Sequence, residues 1–534
     1  MRSSQDSARE AAQRPPREET SGPFGNPDGA RADIEDVLDG FVDFSAFGAL
    51  STSASDAGAR VLVGKLGAGK TVYLRRLQSF QARHEGVYAD HPQQDLPSTD
   101  LVVRVCQWYK YELLTEKWAQ LWHRAILRAL ASHLLRHREL REYVSDEELE
   151  SLTSYDALIG KPRQPHSIYS EVRSIINGHN TANHLSRFLN DSAWDDLEYE
   201  LAEILRTCPP IFFYLDAVDE EFHNAPMYWL RCQQGLFQQT MRMIRDSKFG
   251  NRLHVVICIR DIVLSSVFKS EHAPRYHQEP HIRILDWPIE SLDILLKEKV
   301  RALPPSLRLA NGVTAPIESW LGSAWIFNDS RQVTEPLDDY LLRHTRLIPR
   351  DVVSLGNALC DEIFMLRSRG MTEFPPDRLK RVVGRAAKRF GDSQLAQSAN
   401  QVAADLMPAN AAAQGYSSTY IGSQEYAGTL QTSIKKLIRD LGEDEFGLST
   451  LETLDEAAEL ELGENAHLSS VLWQNGLLGY REGQDCVFYS LADIDSFDIP
   501  RQTGQFVLHP CVLDSVPGLS VGSSGPVRPY RQTY

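Results

Sequence analysis

The sequence predicts an α/β protein: a doubly wound parallel sheet with a helical insertion, then a helical lid and a C-terminal winged-helix-like domain. Three observations predict it. Short apolar runs rich in β-branched and aromatic residues alternate with longer amphipathic segments, the pattern of βαβ units. From Pro288 the strand signal stops and helical periodicity takes over. Near the C-terminus, helical segments lead into "GLLGYREGQDCVFYSL", two short strands around Gly483–Asp485, which is good hairpin chemistry.

Residues 1–33 are polar and rich in Arg, Glu, Pro and Gly, and read as a disordered tail. The α/β domain is placed at 34–287. Its strand candidates are Arg60–Val63, Leu101–Cys106, Ile211–Leu215, Leu253–Ile259 and His281–Leu285. Each is nearly continuous in apolar character, as suits parallel strands buried on both faces. Helical segments Thr71–Arg83, Thr115–Arg136 and Tyr228–Asp246 follow the first three. The stretch between the second and third candidates is far longer than a crossover needs and reads as a helical insertion over about 110–205. Its charged stretches read as solvated helix faces, and "WAQLW", Trp118 to Trp122, as a packing stripe. The lid, 288–396, contains "IESLDILLKEKVRAL", "PRDVVSLGNALCDEIFMLRS" and "PDRLKRVVGRAAKRF", with Pro349 in a first helical turn. An Ala- and Ser-rich linker (397–423), the winged-helix-like domain (424–515) and a tail (516–534) complete the expected organisation.

Bulk composition narrows the function classes. A net charge of −16 over 534 residues argues against a general binder of nucleic acid or anionic membrane. The seven cysteines are scattered and never form a CxxC pair, which argues against a disulfide framework or zinc ribbon. No apolar run approaches the roughly 20 residues that span a bilayer, so no membrane role and a cytoplasmic location are expected.

The first strand runs into "GKLGAGKT", Gly64 to Thr71. This is G-x-x-x-x-G-K-T between a strand and a helix, the pattern of a phosphate-binding P-loop. Gly64, Gly67 and Gly69 let backbone N–H groups close around phosphate oxygens, and the helix N-terminus adds partial positive charge. Lys70 is expected to reach the β- and γ-phosphates, and Thr71 to place its hydroxyl on Mg²⁺. ATP and Mg²⁺ are the implied ligands of a P-loop NTPase core.

"PPIFFYLDAVDEEF" ends a bulky apolar run in a group of carboxylates. Such a group is tolerable beside a cation. A phosphate loop calls for a second strand ending in a carboxylate of the Mg²⁺ shell, and Asp216 is that candidate. Asp219 or Glu220 then orients the attacking water as catalytic base, with Glu221 a solvated neighbour.

"LDAVDE" resembles the Walker B signature of the NACHT branch of the STAND ATPases, with Ala217 at the small position. "VVICIRD", Val255 to Asp261, is similar to the strand-plus-arginine segment that serves those ATPases as sensor 1, which implies that Arg260 senses the γ-phosphate. "TRLIPRDVVSLGNAL" and "FVLHPCVLD" resemble lid and C-terminal segments of related bacterial P-loop ATPases. Arg350 stands where a lid residue touches nucleotide, or alternatively forms a surface ion pair with Asp351 or a neighbour. Arg275 occupies the place of an arginine finger in AAA+ relatives. The long insertion departs from the family pattern, and no repeat sensor is evident.

The resemblance implies a slow, Mg-dependent ATPase acting as a molecular switch, with a protein partner or homo-oligomer, in a bacterial defence or signalling assembly. The alternative is a DNA-associated AAA+ ATPase of origin-recognition or loader type. Few basic residues lie in "AHLSSVLWQNGLLGYREG", and "EDEFGLSTLETLDEAAELELGE" before it is acidic, so DNA binding is not favoured. A kinase is the third reading.

Overall fold

A strand buried on both faces calls for apolar residues along its length, and the central strands supply them apart from His254 and Arg260 of the fourth strand. The computed structural model describes residues 22–29, 31, 58–84, 86–93, 97–216, 225–269, 276, 279–310, 312–413, 424–464, 466–483, 485–489, 498–522 and 525–530. β1 (Val61–Gly64) leads into α1 (Lys70–Gln81). The short β2 (Tyr88–Ala89) is followed by α2 (Thr99–Trp108), α3 (Leu114–Arg136), α4 (Ile168–Gly178) and several shorter helices. Then come β3 (Ile211–Leu215), α5 (Pro226–Arg245), β4 (Leu253–Arg260), α6 (Asp261–Phe268) and β5 (Ile282–Ile284). The five strands are all parallel, in the order β2-β3-β4-β1-β5.

The two-residue period of a strand assigns the layers. Val61, Val63, Ile211, Phe213, Leu215, Val255, Ile257 and Ile259 share one core with Val102 of α2, Trp118 and Trp122 of α3, and Trp229 of α5. The alternate residues, Leu62, Phe212, Tyr214, Val256 and Cys258, share the other core with Tyr73 and Leu74 of α1. The sheet is therefore covered on both sides. The expected stripe of Trp118 and Trp122 is fully buried.

One expected strand is a helix. "LVVRVC" was expected to pair in the sheet, yet Leu101, Val102, Val105 and Cys106 are buried while Arg104 and Gln107 are exposed. That is a helical period, not alternation. The run is rich in valine and too short for composition to decide its period. The strand beside β3 is β2 instead, and the helical insertion begins at Thr99.

Beyond the sheet, α7 (Ile289–Arg301), β6 (Trp325–Asn328), β7 (Val333–Pro336), α8 (Pro349–Arg367) and α9 (Pro376–Ala413) form the next segment. The antiparallel pair of β6 and β7 corrects the expectation that strands end at Pro288. α9 corrects the linker boundary, since it runs unbroken through position 397; residues 414–423 lie outside the described residues. The C-terminal segment contains α10 (Gln424–Asp440), β8 (Glu445–Gly447), α11 (Leu448–Leu462), α12 (Leu468–Gln474), β9 (Leu478–Glu482), β10 (Asp485–Phe488), β11 (Gln505–Leu508), α13 (Pro510–Ser515) and β12 (Pro529–Tyr530). Its five strands are ordered β12-β10-β9-β11-β8, and the expected hairpin is β9–β10. β12 pairs with β10 and Val527 is buried, so the 516–534 stretch is not simply a tail. Arg331, between β6 and β7, ties the two segments together. It reaches Asp444 at 2.5 Å, Glu445 at 2.9 Å and the Gly522 carbonyl at 2.6 Å.

Part of the expected N-terminal tail is also ordered. Gly22–Gly29 lies over α8, with Phe24 only 1% exposed. The Phe24 ring sits 5.1 Å from that of Trp320 and fills the space over Gly356, where an added Cβ would meet its Cδ1 at 2.2 Å. The Phe24 N–H donates to Asn357 Oδ1 at 2.8 Å, and Asn357 Nδ2 donates to the Gly25 carbonyl at 3.0 Å. Pro/Gly composition conceals this, because a single aromatic anchors the strap. Phe24→Ala should remove about 3 kcal/mol or more of burial and strip hydrogen-exchange protection from the amides of residues 24 and 25. Unchanged protection would mean that the strap docks without its aromatic.

Candidate nucleotide site

The loop between β1 and α1 turns through Gly67 at φ 90° and Gly69 at φ 92°, backbone values that favour glycine. α1 begins directly after it, with no acidic residue in its first turn and no side-chain cap on its N-terminus. First-turn N–H groups without a side-chain cap, together with the helix dipole, make an electropositive concavity. Lys70, 7% exposed, folds back over the loop. Its Nζ donates to the carbonyls of Gly64 at 3.0 Å and Lys65 at 3.2 Å. Thr71 follows in the same helical turn, half-buried.

Sheet order determines what faces this loop. β4 lies between β1 and β3, so the tips of the loop strand and the acidic strand are two strand spacings apart, roughly 10 Å. Arg260, the last residue of β4, is in register with Gly64. Asp216 directly follows β3 and is 1% exposed. The candidate residues Gly64, Gly67, Gly69, Lys70, Thr71, Asp216 and Arg260 thus all lie at the C-terminal edge of neighbouring strands, where open α/β sheets hold ligands. Asp219 and Glu220, with Ala217, Glu221 and Arg275, lie outside the described residues.

The main chain of Asp216 is held on both sides. Its N–H donates to the Gln93 carbonyl at 3.0 Å, and its carbonyl accepts from the Tyr169 hydroxyl at 2.7 Å. Gln93 is itself fixed, accepting from the Ile168 N–H at 2.8 Å and donating to Asp90 at 3.0 Å. Sequence reasoning missed Gln93 and Tyr169. The long insertion now has a local purpose, because α4 carries Tyr169 to the acidic strand. No sequence motif marks either residue.

The α8 N-terminus packs directly on the loop. The Arg350 N–H donates to the Gly67 carbonyl at 3.3 Å, and a Cβ at Gly67 would come within 2.9 Å of the Arg350 Cβ. The Arg350 Nε donates to the Pro27 carbonyl at 3.2 Å, so its guanidinium lies at the strap. The expected alternative, an Arg350–Asp351 pair, gives way to another partner. Asp351 accepts from Arg346 Nη2 at 2.8 Å, Nε at 2.8 Å and the backbone N–H at 3.1 Å. Burial works against the Arg346 charge, but Asp351 beside it outweighs that and holds the guanidinium above its ordinary range. Next to this pair, Leu347 adopts φ 52°, a conformation that costs a non-glycine residue about 1 kcal/mol or more.

Arg260 does not stand alone. Its Nη2 donates to Gln397 Oε1 of α9 at 2.9 Å, with both residues buried. The C-terminal segment also comes close, since a Cβ on Gly476 would lie 3.0 Å from Lys65 Nζ. Lys65, Arg346, Gln394, Asn475 and His509 line the cleft between them.

No family model matches the chain, and no curated protein matches it at a significant level. The described residues hold no helix long and apolar enough to cross a membrane, no disulfide, and no ready-made cluster of His, Cys, Asp and Glu for a metal. Arg346→Leu should cost on the order of 3–5 kcal/mol in urea unfolding, because Asp351 is left buried without its cation. The double change Arg346→Leu with Asp351→Leu should recover most of that loss; no recovery would mean that the pair is not what holds this corner.

Proposed function

We propose that the protein binds and hydrolyses ATP with Mg²⁺ and works as a molecular switch of STAND/AAA+ type. The observation that carries the proposal is the convergence on one sheet edge of a glycine loop opening a helix without a side-chain cap, buried Lys70, Asp216 and Arg260. The donor set fits the ion. The Thr71 hydroxyl and the Asp216 carboxylate are hard oxygen ligands, and Mg²⁺ takes few protein ligands while keeping waters and phosphate oxygens. When bound, Mg²⁺ neutralises charge on the phosphate oxygens.

The chain's own residues have distinct tasks in this reading. Loop N–H groups and Lys70 hold the phosphate chain. Gln93 and Tyr169 fix the backbone at Asp216 so that its carboxylate keeps its aim. Arg260 reads the γ-phosphate from the strand between the loop and the acidic strand. Arg350 brings the lid helix onto Gly67. Glu220 or Asp219 accepts the proton of the attacking water. Residues 288–413 serve as the lid, and the segment from 424 as a winged-helix-like domain with its β9–β10 hairpin.

A protein partner or a second copy is the expected output surface, in a bacterial defence or signalling setting. A DNA-reading role is not supported. In α12 every residue except Ser470 is buried, and the helix holds no Arg or Lys. A recognition helix needs an exposed basic face.

Lys70→Ala should weaken ATP binding by roughly ten- to a hundredfold, the worth of one charge-assisted contact. Unchanged binding would remove the site. Glu220→Gln should keep ATP binding but lower turnover by about 10²–10⁴, read as single-turnover phosphate release. Retained hydrolysis would move the base to Asp219, and chelation of Mg²⁺ should stop turnover in either case.

A further inference from the structure

α9 carries three glutamines, Gln394, Gln397 and Gln401, at a spacing that puts them on one helix face. All three are buried. Gln397 accepts from Arg260 at 2.9 Å. The other two are joined to the C-terminal segment. Gln394 Nε2 donates to Asn475 Oδ1 at 3.1 Å, Asn475 Nδ2 donates to Gln401 Oε1 at 2.7 Å, and Gln401 Nε2 donates to Gln474 Oε1 at 2.7 Å. The network is also anchored to the lid and sheet. Arg346 Nη1 donates to Gln394 Oε1 at 3.2 Å, and Lys269 Nζ donates to Gln474 Oε1 at 3.2 Å.

We propose that Gln397 is a positioning residue that restrains Arg260, so that the γ-phosphate of ATP must compete with its amide oxygen for the guanidinium. The proposal rests on the nucleotide site described above and goes further, naming what sets the preference between ATP and ADP. Gln397 offers Arg260 a neutral amide oxygen, whereas a phosphate oxygen offers a charged acceptor, and charge-assisted hydrogen bonds are roughly twice as strong. Against Gln397, the γ-phosphate therefore wins by the difference between these two bonds. ADP has no γ-phosphate and leaves the Arg260–Gln397 bond in place.

Gln397 is suited to such an exchange. Its Nε2 is buried yet makes no hydrogen bond among the described residues, so the amide is held on its oxygen side. Gln394 and Gln401 are bonded through both ends of their amides and keep α9 on Asn475 and Gln474. Release of Gln397 is thus felt by a helix already bonded to the C-terminal segment.

The test uses the full-length chain and compares the affinities of ADP and of the non-hydrolysed analogue AMP-PNP. Gln397→Leu removes this competing acceptor and should tighten AMP-PNP by roughly tenfold while leaving ADP unchanged. Gln397→Glu gives Arg260 a charged partner and should weaken AMP-PNP by a similar factor, again sparing ADP. With Arg260→Ala in the background, the two Gln397 variants should become indistinguishable from each other. A merely structural role for Gln397 would shift both nucleotides together, and that outcome, or no shift at all in a wild type that binds both, overturns the proposal. Should Gln397→Leu fail to fold, Gln397→Met keeps the length of the side chain and carries the same expectation. A wild-type chain that binds neither nucleotide refutes the site itself and the role of Gln397 with it.

Discussion

The contact between the Gly67 carbonyl and the Arg350 N–H seats α8 on the glycine loop at the sheet edge. The approach is close because position 67 lacks a Cβ, and the Arg350 N–H is available because it lies in the first turn of α8, where no intrahelical acceptor exists. Once α8 is seated on the loop, the strap lies across α8 through Phe24 and Asn357, and continues over α1, where Arg75 donates to the Gly29 carbonyl at 2.9 Å. The loop between β1 and α1 is thus also the packing surface for the helical segment.

Buried ions give these contacts a direction that apolar packing could not. Arg346 with Asp351, Arg343 with Glu335, and Arg331 with Asp444 and Glu445 are all largely withdrawn from water. Such pairs add little net stability over well-packed apolar residues, but breaking one leaves an uncompensated charge. Each therefore penalises a misplaced segment strongly. Burial pushes the Asp444 carboxyl upward, while the Gly522 N–H and Arg331 beside it act in the opposite sense. Arg331 spans the β6–β7 hairpin and the C-terminal sheet, so the cost of separating them falls mainly on Asp444, since Glu445 also pairs with Arg481.

The same bonding logic links the chemistry to the fold. Arg260 sits at a strand tip because β4 is one residue longer than its apolar run, and its guanidinium is received by a helix rather than by solvent. Asp216 owes its placement to main-chain bonds with Gln93 and Tyr169, residues separated from it by 123 and 47 positions in the chain respectively. Neither could have been found by spacing, since nothing in a motif registers a bond between a backbone carbonyl and a distant hydroxyl.

Legibility followed the range of the interactions. The strand Ile211–Leu215, all but the last residue of Leu253–Arg260, the helix after the glycine loop, and the β9–β10 hairpin depend on local period and turn chemistry, and all are readable in the sequence. "LVVRVC" was misread because a six-residue valine-rich run suits either period, and only packing against α3 and α5 chose the helix. Phe24 and Gln397 were assigned to a tail and a linker because their neighbours are small and polar. Their burial comes from partners far along the chain, Trp320 and Arg260. By itself the sequence determined the loop, the acidic strand and the alternation of strand and helix, since these are written in adjacent residues. Strand order, the insertion's hold on Asp216 and the pairing of Arg260 with Gln397 were decided by tertiary structure alone, because each joins groups that only folding brings within bonding distance.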